Sequence, residues 1–406
     1  MHSLTRKRAL RKFEPLWADT PRHAVRTQRR LTTYDVDVLI VGAGISGALM
    51  ANALIGHNLS VLMVDRRKPI GGSSMASTAM IQHEIDVPLH QLNRLRGTAD
   101  AARIWQRSAK AVEHLASLVD ALQIDCHFER KNTLYLSGAS YGSRALQAEV
   151  SAREAASLAA TLLPQAILRA RFGIDRTAAI ETHVSAAANP AQLTAGFLRH
   201  AQANGVPIVE TIEITDIREV EGRNAVATSD GRIILATHVV FCTGYEFLKA
   251  VANKKHAIVS TWAMATRPRH PRPEWLDDYL VWEGADPYLY FRSTPDGRII
   301  VGGEDEKSDD AFKDPAKLQA KSDILREKLS DLIGIRIGVP DYRWSAAFGV
   351  TAQGLPMIGR VPCMRNAFAT MGYGGNGITF SQIAAEIISS SILGHADPDA
   401  SLFPFV

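Results

Sequence analysis

The sequence predicts an α/β fold interrupted by a second, β-rich unit, and three observations predict it. A strand–glycine turn–helix–strand pattern covers residues 36–65, a β-rich aromatic stretch covers 258–301, and a second glycine cluster at 372–377 runs into a C-terminal helix. Glycine-rich turns near opposite ends of a chain meet only if the chain folds back on itself, so the first domain is expected to be discontinuous. At 406 residues the chain is long enough for two or three units, each with its own core. The expected ranges are 34–90, 181–255 and 340–406 for the discontinuous domain, 91–180 and 256–339 for the second domain, and 1–33 for a basic N-terminal arm.

Residues 36–41 form a short, branched, apolar run, which reads as a fully buried parallel strand. Gly42-Ala43-Gly44-Ile45-Ser46-Gly47 follows, then a helical apolar pattern that stops at Gly56, then a second strand at 60–65 ending in Asp65. Each glycine has a mechanical reason. Gly42 permits the tight turn, Gly44 lets backbone approach a pyrophosphate, and Gly47 lets helix and strand pack closely. The helix N-terminus then offers free N–H groups and the positive end of its dipole to phosphates. Asp65, twenty-three residues after Gly42, is placed to accept hydrogen bonds from ribose hydroxyls. The unit is therefore Rossmann-like and predicts dinucleotide binding. Residues 71–78 are almost all small or hydroxyl-bearing, suited to run along an extended cofactor or to form a plain loop.

Further along, helices are expected at 100–122 and 143–163, with one strand at 133–136. Asn189-Pro190 opens a helix over 191–204 that Gly205 caps. Strands are expected at 206–210 and 212–218, a hairpin at 225–229 and 232–236 around Asp230-Gly231, and a buried strand at 239–244 running into a tight turn. After the β-rich stretch, helical pattern returns at 315–332, a strand at 367–371 and a helix at 378–393.

Composition excludes several classes. Hydrophobic residues make up 46% and charged residues 22%, ordinary globular values that rule out collagen-like, coiled-coil and wholly disordered chains. Cys126, Cys242 and Cys363 lie far apart with no C-x-x-C, which argues against a disulfide scaffold or structural zinc and fits a reducing, cytoplasmic setting. The arm carries nine Lys/Arg against Glu14 and Asp19, leaving 37 basic and 40 acidic groups in the other 373 residues. The body is thus no nucleic-acid surface, and any such case rests on the arm. Pro15, Leu16 and Trp17 interrupt its charge as in an arm docked on its own body; RNA, partner or peripheral membrane binding stay open as alternatives. The nineteen uncharged residues from Val38 to Gly56 contain the glycine fingerprint and are read as soluble strand, turn and helix rather than a membrane span. His83-Glu84 invites a metal reading, but Val87 breaks H-E-x-x-H, so no metal is expected.

The order of Val41-Gly-Ala-Gly-Ile-Ser-Gly47, Gly72 to Thr78, Phe241-Cys-Thr-Gly244, Gly354-Leu-Pro-Met-Ile-Gly359 and Gly372-Tyr-Gly-Gly-Asn-Gly-Ile-Thr379 resembles the D-amino-acid-oxidase-like (DAO) family of FAD-dependent oxidoreductases. The likeness covers roughly residues 34–405 and points to bacterial members of the glycine oxidase, sarcosine oxidase and γ-glutamylputrescine oxidase branch. It implies a DAO-type fold and FAD as cofactor, with Gly42, Ala43, Gly44, Ile45, Ser46 and Gly47 at the pyrophosphate. Asp65 and Arg66 would face the adenosine half and Ile214 the adenine. Ser73, Ser74, Ser77 and Thr78 would line the flavin side, near Thr243 and Gly244. Gly375, Asn376, Gly377, Ile378 and Thr379 would sit under the pyrimidine edge, where a helix N-terminus stabilises charge arriving with hydride at N5.

The implied reaction oxidises a C–N bond of an amine or amino acid, giving an imine that hydrolyses, with oxygen or another acceptor taking the electrons. A flavin domain serving RNA modification and an NAD-dependent dehydrogenase are the alternatives. Ala79 and Gln82 stand where sarcosine oxidases carry arginines, Ile300 near their oxygen-activating lysine, and no cysteine where their flavin is linked, so FAD is expected to be noncovalent. Candidate substrate contacts are Arg292, His83, Tyr245 and Tyr290. Arg292 could bind a carboxylate or serve a structural pair. His83 could face substrate or be a satisfied buried imidazole, and Tyr245, Trp282, Tyr288 and Tyr290 could be cage or core. Glu304 and Asp305 are read as ending a strand on the surface.

Overall fold

A computed structural model describes residues 3–251 and 256–405; the remaining residues of the expected ranges lie outside the described ones. The first strand, Asp35–Val41, pairs in parallel with Val61–Asp65 on one side and Ile233–Gly244 on the other. Helix Ile45–Ala53 bridges the first two, closing the βαβ unit. The sheet continues through Ile208–Glu210 at one edge and Ala367–Met371 and Met357–Arg360 at the other, eight strands in all with the side hairpin Ile214–Val220 and Arg223–Thr228. Its central strands are buried on both faces, which is why their sequences show no apolar–polar alternation.

The second sheet has ten strands and crosses the expected boundaries. From one edge it runs Arg11–Lys12, Tyr342–Thr351, His256–Ala265, Ile299–Glu306, Leu289–Ser293, Tyr279–Gly284, Glu129–Ser137, Ala178–Ala187 and Met80–Gln82, with Thr161–Pro164 as a tenth strand paired off this path to Ala178–Ala187. Strands Met80–Gln82 and Tyr342–Thr351, together with the end of Ala178–Ala187, lie in stretches expected to belong to the other domain. They are short or mostly buried, so sequence alone does not tell which sheet takes their hydrogen bonds. Arg11–Lys12 in the arm adds a strand opposite Ala346 and Ser345.

Two elements differ from expectation. The helix expected over 143–163 stops at Ala155, because Ser157 takes a left-handed φ of 56° and Thr161–Pro164 then pairs with Ala178–Ala187. The hairpin strand at 232–236 and the buried strand at 239–244 are one twelve-residue strand, Ile233–Gly244, antiparallel to Arg223–Thr228 at its start and parallel to Asp35–Val41 along most of its length. Helix Gly377–Ile392 packs against helix Ile45–Ala53, bringing both glycine-rich turns to one place. Among the described residues no helix is long and apolar enough to cross a membrane.

Candidate functional site

One cavity runs from the ends of strands Asp35–Val41 and Val61–Asp65 to strands Tyr279–Gly284 and Leu289–Ser293. At its first end the wall is backbone. Gly42 has φ 115°, and a Cβ there would lie 2.4 Å from the Cys242 carbonyl oxygen; one on Gly47 would lie 1.9 Å from the Gly42 oxygen. Side chains are therefore excluded from the turn, and Gly42, Gly44, Ile45 and Ser46 line the cavity while Ala43 and Gly47 stand behind it. The Asp65 carboxylate accepts hydrogen bonds from the backbone N–H of Ala43 and of Arg67, both at 2.7 Å. It thus shapes the turn as well as lining the cavity, and burial raises its pKa.

Ile214, Asp65 and Arg66 line this end together. Sequence reasoning missed their anchor, Glu246. Its buried carboxylate takes Arg66 Nε at 2.9 Å, Arg67 Nη2 at 2.8 Å and the Arg8 N–H at 2.9 Å. Burial alone would raise Glu246, but these donors outweigh it and hold its pKa below the usual carboxylate range. Arg8 belongs to the arm, which docks on the body at several of its described residues. Lys7 pairs with Glu213 at 2.6 Å, Trp17 is 4% exposed and donates Nε1 to the Ser77 oxygen at 2.7 Å, and Leu4, Thr5 and Leu10 line the cavity itself. Of the nine basic residues that motivated a nucleic-acid reading, Lys7, Arg8, Arg11, Arg22 and Arg29 pair with this chain's own carboxylates, while Arg6, Lys12, Arg26 and Arg30 are exposed.

Midway, Ser73, Ser74, Ser77, Thr78, Thr243 and Gly244 line one side. Ser74 Oγ accepts the Ile45 N–H at 3.0 Å, and the buried Ser73 hydroxyl has no partner among the described residues. Gly375, Asn376, Gly377 and Ile378 line the other side. Thr379 does not: its hydroxyl is turned away to the Gln82 carbonyl at 2.9 Å, so its expected place under the pyrimidine edge is corrected to a support for the neighbouring strand. Ser46 Oγ lies 2.8 Å from the Tyr373 hydroxyl and 2.7 Å from Ser381 Oγ, tying the two helix N-termini together.

The far end is built from side chains. Tyr245 and Tyr290 line it, joined by Trp282, Tyr288, Gln82, Asp86 and Thr261. The Tyr245 hydroxyl donates to the Gly374 carbonyl at 2.8 Å, and burial raises its pKa and that of Tyr290. Alternation along Tyr288 and Tyr290 was the available signal for a shared face; for Asp86 the sequence offered none.

Three readings need correction. Arg292 is 2% exposed and lies outside the cavity lining, with Nε on the Thr78 carbonyl at 2.7 Å, Nη2 on that of Ala188 at 2.9 Å and Nη1 on that of Ser293 at 3.0 Å. Burial lowers its pKa to about 10. It is a structural clamp, not a carboxylate receptor. His83 is the buried imidazole: Nδ1 bonds the Val184 carbonyl at 2.8 Å and the ring meets Trp105 edge-on, away from the cavity. Glu304 and Asp305 are not surface groups. Glu304 is buried and paired with Lys321 at 3.4 Å, whereas burial lifts Asp305 to about 6, with Thr261 and Tyr288 hydrogen-bonded to it.

A family model described as FAD dependent oxidoreductase (DAO) matches residues 37–391. Gamma-glutamylputrescine oxidoreductase of Escherichia coli (strain K12) is 22% identical over 375 residues, covering 89% of this chain and 84% of that protein. The structure of glycine oxidase from Geobacillus kaustophilus matches with a TM-score of 0.75 at 18% identity, covering 92% of this chain and 99% of that one. L-proline dehydrogenase from P. horikoshii matches with a TM-score of 0.75 at 16% identity, over 92% and 97% of the two chains. At these identities the structural likeness shows the fold.

Proposed function

The chain belongs to the DAO family of FAD-dependent oxidoreductases, and on that premise we propose that it oxidises the C–N bond of an amine or amino acid, with FAD held noncovalently. The observation that supports this reading is the single cavity, which joins a side-chain-free glycine turn at one end to an aromatic, polar chamber at the other. The residues fit the cofactor: the turn admits phosphate-sized groups to backbone, and the buried Ser73 hydroxyl is left to pair with something in the cavity. Of the cysteines, Cys242 lines the cavity, but burial pushes its thiol up to about 12, which suits it poorly to a covalent link.

Bound FAD supplies a two-electron acceptor for hydride from the carbon that carries nitrogen. The chain's own part is to bind, orient and desolvate. We assign the eight-stranded sheet, the glycine turn and helix Gly377–Ile392 to the cofactor, and the ten-stranded sheet to the substrate wall. Tyr245, held on the Gly374 carbonyl, fixes the junction between them. Hydride leaves its carbon only after the substrate nitrogen has given up any proton to solvent; the imine product takes up water and breaks to a carbonyl compound and ammonia or a smaller amine.

The test is anaerobic bleaching of the visible flavin absorption across a panel of amines and amino acids, followed by admission of oxygen. Bleaching by at least one such compound is expected. Holoenzyme that dithionite bleaches but no amine or amino acid does would end the reading. The oxygen step then separates an oxidase from an enzyme that needs another acceptor.

A further inference from the structure

We infer that the substrate binds as a cationic amine with no carboxylate beside the reacting carbon, and that Asp86 supplies its counter-charge; this rests on the amine-oxidation reading above. The basic residues among those lining the cavity are Arg66 and Arg67, both fixed on Glu246 at the glycine-turn end. Of the guanidiniums that approach the far end, Arg292 is held on three backbone carbonyls and Arg153 on Glu84 and Glu149. A substrate carboxylate in the chamber would therefore meet no cation.

It would meet Asp86. That carboxylate accepts the Gly375 N–H at 2.9 Å through Oδ2 and otherwise faces cavity space, without an ion pair among the described residues. Its neighbour Glu84 differs: there Oε1 takes the hydroxyls of Thr133 and Thr182, both at 2.7 Å, with Arg153 at 3.5 Å. Glu84 is compensated inside the protein and Asp86 is not. Asp86 is exposed to the open cavity and so is solvated there; a guest that displaces that solvent leaves the carboxylate in need of a counter-charge, which a cation supplies. Trp282, Tyr288 and Tyr290 form the walls, the two tyrosine rings 5.8 Å apart, and ring faces attract ammonium groups.

Gln82 gives a second, independent sign of a ligand. It is 8% exposed, lines the same cavity, and its side-chain nitrogen has no partner among the described residues. Behind the wall, Asp305 adds a further acid that Tyr288 and Thr261 contact, and the charges of Asp86 and Asp305 raise each other's cost. Everything ionisable at this end favours a positive guest.

The probes are tetramethylammonium chloride and sodium benzoate, titrated into holoenzyme while following the flavin spectrum, with sodium chloride as the ionic-strength control. Tetramethylammonium is expected to perturb the spectrum and benzoate is not. Asp86→Asn should weaken the cation about 30-fold or more, the loss expected when one member of a desolvated charge pair is removed, while benzoate begins to bind. Asp86→Glu should keep the cation preference. A merely structural Asp86 could not invert the preference between the probes. Benzoate binding more tightly than tetramethylammonium in the unaltered protein, no response to either probe, or an Asn variant with unchanged cation affinity overturns the inference. The unaltered protein alone decides the first two, so a misfolded variant does not rescue it. Amino acids that bleach the flavin faster than the amines lacking their carboxylate would also overturn it, while leaving the oxidation reading intact; a cation response without any bleaching would do the reverse.

Discussion

At the glycine-turn end of the cavity the wall is backbone from contiguous chain, and at the chamber end it is side chains from strands that meet only through sheet pairing. Gly42 and Gly47 leave no room for a Cβ, whereas Gln82, Asp86, Trp282, Tyr288 and Tyr290 could each be exchanged for another side chain without moving a strand. A backbone wall admits few substitutions and so fixes one ligand shape. A side-chain wall lets one scaffold change guests.

The largest effect should come from breaking the backbone wall. Gly42→Ala combines a left-handed φ of 115° with a 2.4 Å approach to a carbonyl oxygen, and strain plus overlap should destabilise the protein by about 4 kcal/mol. Thermal melting and the flavin-to-protein ratio measure it; near-normal values for both would show that the turn yields. Arg292→Ala comes next. It leaves three buried carbonyls short of donors, so about 3 kcal/mol of stability should go while the affinity for substrate stays where it was. A large KM rise at unchanged melting temperature would return Arg292 to the chamber.

Removing residues 2–12 takes Leu4, Thr5 and Leu10 off the cavity. Losing the burial of one leucine-sized side chain corresponds to about ten-fold weaker FAD retention, read as faster recovery of free-flavin fluorescence on dilution. The smallest effect is a pH slope. Asp305 keeps its proton to about pH 6 in the folded protein against 3.8 as its ordinary value, so the folded state binds more protons between them. Stability should therefore fall as pH rises through that window, and Asp305→Asn should flatten the fall in a series of melting curves.

What the sequence revealed follows the same division. Gly42 to Gly47 was legible because backbone geometry selects glycine at fixed spacing along one stretch. The register Trp282↔Tyr290 that builds the chamber wall is written nowhere in a contiguous motif, and Asp86 arrives from beyond the opposite edge strand. Arg292 shows how far strand periodicity goes. It shares a face with Tyr290, two residues away, but the segments carrying Thr78 and Ala188 close over that part of the face and Trp17 lies 5.6 Å from the guanidinium. His83 is the opposite case, one residue from Gln82 and hence turned away from the cavity. Periodicity gave the side; only tertiary packing gave the neighbours.

The hydrogen bond between Ser46 and Tyr373 joins residues 327 positions apart. At about 5–20 residues per second of synthesis, Ser46 leaves the ribosome roughly 15–65 s before its partner does. Throughout that interval the glycine turn lacks the C-terminal helix that meets it in the finished fold. The cavity can therefore take its full lining only after the C-terminal helix has been made.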